Sequence, residues 1–144
     1  MSVPIDAHYA GDLDPDQAWI RFQEQPNAIL IDVRTTAEWS YVGEPDISRS
    51  GRDVVKLSWK EFPSMQINPV FVKTLTELAP DKNTTLLFLC RSGVRSKDAA
   101  VAMTKHGYQQ CYNIEEGFEG DHDDNKQRGN RGGWKLRGLP WTQP

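Results

Sequence analysis

Short apolar runs alternate with amphipathic stretches along most of this chain. Each run has four to six residues, is bounded by polar or turn-forming residues, and is too short for a typical globular helix. A run of this kind is typical of a strand buried inside a parallel sheet. The strands that this pattern predicts are 28–33, 54–57, 84–89 and 111–114.

Helix-start signals stand before several of the amphipathic stretches. Asp14 is placed to cap the first helix, and Gln17, three residues later, completes a capping box. A second start signal stands at Asn68, and Pro80 ends that helix. The helices predicted in this way follow Asp14, cover 35–41, follow Asn68, and cover 96–106.

Strands that alternate with helices predict an α/β fold, in which a central, mostly parallel sheet carries helices on both faces. The length of 144 residues suits one domain, which we expect to span residues 1–144 with a core at 12–120 and a C-terminal extension at 121–144. The glycines, prolines and serines of 42–53 predict a long loop, and 134–139 predicts a last helical turn or two. Ligands of such sheets bind where loops leave the carboxyl ends of the strands.

Composition and charge narrow the function classes. The formal net charge of −3 gives no general affinity for nucleic acid or for an anionic membrane surface. The N-terminal residues lack the basic and then apolar pattern of a signal peptide, and no apolar run is long enough to span a bilayer. Two cysteines do not suggest a disulfide framework in a chain of this size. We therefore expect a cytoplasmic protein with reduced thiols that binds neither nucleic acid nor membranes.

The most informative segment is the loop that follows the apolar run 86–89. This run ends at Cys90, the polar residues Arg-Ser-Gly-Val-Arg-Ser96 follow, and a helical pattern then begins. Unpaired N–H groups at the first helical turn, the helix dipole and the guanidinium groups of Arg91 and Arg95 would form a positive bowl around the sulfur. Such a field favours the thiolate, which is the reactive form. The sequence therefore predicts a nucleophile in an anion-binding cradle.

Three motifs at the predicted strand ends resemble those of a known family. They are Ile31-Asp-Val-Arg34 with the following Glu38-Trp39, the loop Cys90-Arg-Ser-Gly-Val-Arg95, and the segment from Tyr112 to Phe118. Together they resemble the single-domain rhodaneses, the thiosulfate sulfurtransferase family, over residues 12–120. The resemblance implies a rhodanese-like fold and an enzyme that transfers sulfane sulfur.

The implied reaction uses Cys90 as the catalytic residue. Its thiolate attacks the outer sulfur of a donor such as thiosulfate, sulfite departs, and the resulting persulfide passes its sulfur to a thiol or cyanide. Arginine's forked donors suit the sulfonate oxygens, so we expect Arg91 and Arg95 to bind the donor. An ionised Cys90 would need no general base, and neither a cofactor nor a metal is expected.

The rest of the loop is expected to hold the persulfide. Gly93 allows the backbone to curl tightly, backbone N–H groups point at the sulfur, and the Ser96 hydroxyl adds a donor. The predicted substrate-binding residues are Arg91, Ser92, Gly93, Val94, Arg95 and Ser96.

Two pairs of residues outside the loop have two interpretations each, and the second cysteine has one. Asp32 and Arg34 are expected to support the site, either by orienting the loop through hydrogen bonds or by pairing with each other. Trp39 and Trp59 either line the pocket or pack in the core. Cys111 lies in an apolar run without basic neighbours and is expected to be a core thiol.

Two departures from the family pattern motivate an alternative function. The segment 42–48 lacks the histidine found after the Glu-Trp position in many rhodaneses, and 121–144 extends beyond a minimal domain. A protein persulfide carrier or a redox-sensing partner, with incidental thiosulfate activity, therefore stays open.

Three further functions fit the sequence less well. A phosphatase on the same fold has five residues between its cysteine and arginine, whereas four separate Cys90 from Arg95. The acidic segment 121–125 fails as a calcium loop, because Lys126 and Gly132 stand where glycine and glutamate are needed. A catalytically silent module is disfavoured by the intact cysteine loop.

Overall fold

A five-stranded parallel sheet forms the centre of the fold. The structure is a computed structural model that describes residues 9–143. The strands are β1 (Gly11–Leu13), β2 (Ile29–Asp32), β3 (Glu44–Pro45), β4 (Val55–Lys56), β5 (Lys60–Glu61), β6 (Gln66–Ile67), β7 (Leu86–Leu89), β8 (Cys111–Ile114) and β9 (Trp141–Thr142). The central sheet has the order β1-β8-β7-β2-β4, and all its neighbouring strands are parallel.

Helices cover both faces of this sheet. They are α1 (Pro15–Glu24), α2 (Thr36–Tyr41), α3 (Phe71–Leu78) and α4 (Val94–Lys105). Alternate residues of β7 enter different apolar clusters: Leu86 and Phe88 pack with α3 and α4, whereas Leu87 and Leu89 pack with α1. A strand buried on both faces reads as a continuous apolar run, which is why β7 was recognisable from sequence. The predicted α/β class is confirmed.

Capping boxes fix the starts of the first two helices. The Asp14 carboxylate accepts a bond from the Gln17 N–H at 2.8 Å, and Gln17 Oε1 accepts one from the Asp14 N–H at 3.0 Å, as predicted. Thr35 and Glu38 form the same reciprocal arrangement at the start of α2. These caps satisfy N–H groups that the first turn leaves unpaired.

Two predicted helix boundaries are wrong. The helix that was predicted to follow Asn68 begins at Phe71. Asn68 Oδ1 accepts a bond from the Val70 N–H, and this contact forms a turn before the helix. The final helix begins at Val94, two residues before the predicted start at Ser96, so that part of the cysteine loop is already its first turn.

The C-terminal segment also differs from the prediction. Residues 134–138 form consecutive turns and no helix, with positive φ angles at Gly133, which precedes them, and at Gly138, the last of them. Beyond these turns, β9 pairs antiparallel with β3. Strand β3 lies within the stretch 42–53, which was predicted as a loop. Two residues carry no periodic pattern and neither strand lies in an apolar run, so nothing in the sequence indicated this pairing.

The C-terminal extension packs against the core. Trp134 is 1% exposed and belongs to the apolar cluster of α1. Arg137 lies 2.7 Å from the Asp16 carboxylate and 2.6 Å from that of Glu116, so it connects the extension to α1 and to the segment after β8.

None of the helices within residues 9–143 has both the length and the apolar character needed to cross a membrane.

Candidate active site

The loop from Cys90 to Gly93 connects the carboxyl end of the central strand β7 to α4. Gly93 caps α4 with a φ of 108°, a left-handed conformation that glycine adopts without strain. A Cβ at this position would lie 3.5 Å from the nearest atom, Glu115 Cα, so the requirement for glycine comes from the backbone angle and not from crowding.

The sulfur of Cys90 is buried but has polar neighbours. Cys90 is 1% exposed and its side chain belongs to the apolar cluster of α3 and α4. The Gly93 N–H donates to Sγ at 3.1 Å, and Ser96 Oγ lies 3.1 Å from the same atom. The structure thus brings three of the predicted site residues together around one sulfur, with one loop N–H directed at it.

Ser96 belongs to a chain of hydrogen bonds that the sequence did not predict. Its hydroxyl donates to Asn113 Oδ1 at 2.6 Å, and Asn113 Nδ2 donates to Asp12 Oδ1 at 3.0 Å. Asp12 and Asn113 are paired neighbours on β1 and β8. The one available signal was a polar asparagine inside the apolar run 111–114, which a buried strand does not need for packing.

Arg95 forms an ion pair with Glu38. Its Nη1 and Nη2 donate to the two carboxylate oxygens at 2.7 and 2.9 Å, a bidentate arrangement between α4 and α2. Burial alone would raise the pKa of Glu38, but the hydrogen bonds and the charge of Arg95 outweigh it and hold this pKa below its ordinary range. The expectation that Arg95 offers a free charge to a donor is therefore modified, because Glu38 already compensates that charge.

Arg91 has a different environment. Its side chain is exposed, and among residues 9–143 it forms no ion pair. An uncompensated guanidinium at the loop can bind an incoming anion.

Asp32 and Arg34 pair with each other. Arg34 Nη2 and Nε lie 2.7 and 2.9 Å from the two Asp32 oxygens, and both side chains are fully buried. Arg34 also donates to the Gly43 carbonyl at 2.7 Å, and its guanidinium lies 4.3 Å from the centre of the Phe118 ring. Their hydrogen bonds within the described chain favour mutual pairing over the orientation of the cysteine loop.

A cavity of about 410 Å³ opens beside the loop. Its lining includes charged side chains, among them Arg91, Arg95 and Glu38, and the apolar side chains of Phe62 and Met65 from the segment between β5 and β6. The opening therefore combines charged and apolar surface beside Arg91.

The two tryptophans have separate roles. Trp59 packs edge-on against Phe71 with the ring centres 5.0 Å apart, and it also forms part of the wall of a groove of about 990 Å³ along the outer side of α4. Trp39 lines a different cleft together with Lys56. Neither lines the cavity at Arg91. Trp59 packs in the core and also lines the groove that includes Gly93 and Val94 of the loop, whereas Trp39 lies apart from the loop.

The surroundings of Cys111 and of the acidic segment 121–125 indicate structural roles. Cys111 is fully buried, and burial raises the pKa of its thiol to about 11. In the acidic segment, Asp123 Oδ1 accepts bonds from the N–H groups of Asn125 and Gln127, so its carboxylate caps its own turn.

A protein-family comparison matches nearly the whole chain. The family model described as the STR4 middle domain matches residues 11–144. Among solved structures, Rv0390 from M. tuberculosis has a TM-score of 0.83 and 44% identity, over 94% of this chain and 99% of that one. The similarity therefore includes the C-terminal extension.

Three relatives illustrate the range of similar sequences. An uncharacterized protein of Rickettsia conorii is 42% identical over 116 residues, which are 80% of this chain and 83% of the relative. The chloroplastic rhodanese-like domain-containing protein 4 of Arabidopsis thaliana is 30% identical over 128 residues, 88% of this chain and 24% of the plant protein. The thiosulfate sulfurtransferase GlpE of Actinobacillus succinogenes is 24% identical over 129 residues, 90% of this chain and 87% of the relative.

Proposed function

Because this chain belongs to the STR4 middle-domain family and has a rhodanese-like fold, we propose that it is a sulfurtransferase that carries sulfane sulfur on Cys90. The donor is thiosulfate or a similar anion, and the acceptor is a thiol or cyanide. The thiosulfate sulfurtransferase of Actinobacillus succinogenes, which is similar over 90% of this chain, supports the donor class.

One observation carries the proposal. Cys90 stands at the carboxyl end of the central strand, its sulfur accepts a hydrogen bond from the Gly93 N–H, and the exposed Arg91 follows it directly. A hydrogen bond to sulfur stabilises the thiolate, and the guanidinium attracts an anionic donor. A buried core cysteine needs neither feature.

The reaction has two steps. The Cys90 thiolate attacks the outer sulfur of thiosulfate, the S–S bond of the donor breaks, and sulfite leaves with the bonding pair. The persulfide Cys90–S–S⁻ remains, and its outer sulfur then passes to the acceptor. Both partners in the first step are anions, so fixed donors at the loop must offset their repulsion.

The loop residues have distinct proposed roles. Arg91 binds the sulfonate oxygens, and the backbone of Ser92, Gly93 and Val94 surrounds the outer sulfur. Arg95 acts through Glu38 by holding the first turn of α4 against α2. Through their mutual pairing, Asp32 and Arg34 support the end of β2, the neighbour of the strand β7 from which the loop leaves.

The proposal includes the setting of the reaction. No cofactor or metal is required, residues 1–144 act as one domain, and the protein works in the cytoplasm. Its partners are a small anionic sulfur donor and a thiol or protein acceptor.

Replacement of the two cysteines tests the proposal. We expect Cys90→Ser to abolish thiosulfate:cyanide turnover, because serine cannot carry a sulfane sulfur. Cys111→Ser is the matched control and should retain activity, since Cys111 is buried away from the loop with its pKa raised to about 11. Mass spectrometry after thiosulfate treatment should find one added sulfur on the peptide with Cys90. Turnover by the Cys90→Ser protein would refute the mechanism.

Apolar surface at the cavity favours a second candidate, a protein persulfide carrier. Phe62 is 61% exposed and Met65 40% exposed, and both line the cavity that contains Arg91. Exposed apolar side chains at a reactive site suit contact with another protein. The rate of sulfur transfer from thiosulfate, compared with the rate from a persulfidated donor protein, distinguishes the two functions. A carrier reacts faster with the donor protein.

A further inference from the structure

The C-terminal extension contributes an arginine to the cavity beside the cysteine loop. Arg128 belongs to the extension 121–144, and it lines the same cavity of about 410 Å³ as Arg91 of the loop. Its side chain is partly buried, so it is not one of the fully solvated charges of the surface. The packing of the extension onto α1 does not explain why a guanidinium stands at this opening.

Backbone hydrogen bonds fix this part of the extension against the cysteine loop. The Glu119 N–H donates to the Arg91 carbonyl at 2.9 Å, and the Glu119 carbonyl accepts a bond from the Gly129 N–H, also at 2.9 Å. Just before Glu119, a Cβ at Gly117 would lie only 2.6 Å from the Arg91 carbonyl oxygen, so glycine is needed for this close approach. The main chain therefore sets the position of Arg128 relative to Arg91.

The guanidinium of Arg128 is held in place without losing its charge to a carboxylate. Its Nη1 donates to the Gly120 carbonyl at 2.7 Å, and this partner is neutral. Within the part of the chain that the structure describes, Arg128 forms no ion pair. A guanidinium has five N–H donors, so the bond to Gly120 leaves others for an anion.

Arg128 also decides the sign of the charge that lines the cavity. Arg95 and Glu38 compensate each other in their ion pair. The other charged residues of the lining are Arg91, Arg128 and Glu119. Arg91 alone would only balance the Glu119 carboxylate, so it is Arg128 that gives the lining a net positive charge. A net positive cavity attracts a dianion such as thiosulfate, whereas a neutral one does not.

We propose that Arg128 is a second donor-binding residue, which together with Arg91 holds the sulfonate group of the sulfur donor. The inference rests on the proposed function, in which the donor is thiosulfate or a similar anion. A sulfonate spreads its negative charge over three oxygens, so it accepts hydrogen bonds from two guanidinium groups at once. Arg128 binds the part of thiosulfate that departs as sulfite, and the C-terminal extension is thus part of the donor site.

Titration of the Cys90→Ser protein with thiosulfate, followed by NMR, tests this role. Serine cannot take up the sulfur, so the donor binds without reacting. We expect Arg128→Met in this background to raise the Kd for thiosulfate about fivefold, because a charge-assisted contact is lost. Arg128→Lys should raise it only about twofold, since lysine keeps the charge but not the fork, and it serves as a second variant if Arg128→Met folds poorly.

Three controls separate a contact with the donor from other effects of the substitution. Arg131→Met removes an arginine of the same extension that pairs with Asp124 outside the cavity, and we expect less than about a twofold change in Kd. In a Glu119→Gln background the effect of Arg128→Met should persist, because Arg128 acts on the donor and not by neutralising Glu119. Added salt should reduce the effect, since salt screens a partly exposed charge but not the loss of the bond to Gly120.

The possible results are distinguishable from failure of the proposed function. An unchanged Kd in Arg128→Met, an equal change in Arg131→Met, an Arg128→Lys protein that binds no better than Arg128→Met, or an effect that vanishes with Glu119→Gln or ignores salt would each overturn the role of Arg128. Absence of saturable binding with Arg128 intact would overturn it as well. The titration requires no sulfur transfer, whereas the proposed function fails separately if Cys90 of the unmodified protein gains no sulfur from thiosulfate.

Discussion

The two arginines of the cysteine loop differ in what they can offer a substrate. Nη1 and Nη2 of Arg95 both donate to the Glu38 carboxylate, at 2.7 and 2.9 Å. Arg91 is exposed at the cavity and forms no ion pair within residues 9–143. The first is suited to holding the loop in place, and the second to binding an anion.

Arg91→Ala should therefore impair donor binding without unfolding the protein. We expect the KM for thiosulfate to rise about tenfold, because a charge-assisted contact to the sulfonate is lost. Steady-state kinetics with thiosulfate and cyanide measure this change. Arg49→Ala is the control, since Arg49 is exposed on a 3₁₀ turn at Ser48–Ser50. Equal KM values for Arg91→Ala and the unmodified protein would remove Arg91 from the site.

Local residues of the site could be predicted from sequence, and distant partners could not. Cys90, Gly93 and Ser96 lie within one short loop, so a strand, a turn and a helix start were enough to bring them together. Glu38 is 57 residues from its partner Arg95, and Asn113 is 17 residues from Ser96. Such pairs depend on which strands and helices become neighbours, which no local pattern specifies.

At the scale of elements, the Glu38–Arg95 pair joins α2 to α4. Glu38 has a second task in the capping box of α2, where its carboxylate accepts bonds from the N–H and hydroxyl of Thr35. Glutamine can replace glutamate in a capping box. Glu38→Gln therefore removes the ion pair while it keeps the cap.

We expect Glu38→Gln to lower the free energy of unfolding at neutral pH by about 1–3 kcal/mol, the range for hydrogen bonds to charged groups. The pKa of Glu38 is lowered in the folded protein from an ordinary value of 4.5, because Arg95 outweighs the effect of burial. A lowered pKa stabilises the fold above the unfolded value, and this stabilisation is lost as the pH falls through the folded value. The difference between the two proteins should thus be complete above about pH 5 and shrink below it.

Urea unfolding at neutral and acidic pH measures this difference. Glu77→Gln is the matched control, because Glu77 is an exposed glutamate on α3 without an ion pair among the described residues. A difference for Glu38→Gln that persists undiminished in acid would show that the effect comes from packing and not from charge.

Elements were predictable in proportion to the strength of their pattern. The buried strands β2, β7 and β8 have four residues each in apolar runs, and α1 carries a capping box. The strands β3, β5, β6 and β9 have two residues each and lie outside any apolar run, whereas β4, equally short, lies in the apolar run 54–57 and was predicted. Their pairing is decided by tertiary contacts.

For the whole molecule, the C-terminal extension matters because it completes the apolar layer around α1. The Trp134 ring packs edge-on against Trp19 of α1, with the ring centres 5.7 Å apart. Its indole N–H donates to the Pro140 carbonyl at 2.7 Å, which holds the chain that leads into β9. The extension is therefore joined to the same layer that covers one face of the central sheet.

Trp134→Ala should destabilise the entire fold and not only the extension. Loss of a buried tryptophan from a packed layer is expected to lower the free energy of unfolding by about 3–5 kcal/mol. Leu136→Ala, two residues away and 51% exposed, should change it by less than about 0.5 kcal/mol. Both values come from urea unfolding followed by far-ultraviolet circular dichroism, which reports on the central helices and strands. A small effect of Trp134→Ala in this signal would mean that residues 121–143 are an appendage to a core that is stable without them. A large one would mean that the face of the sheet opposite α3 and α4 is incomplete until the end of the chain has folded onto it.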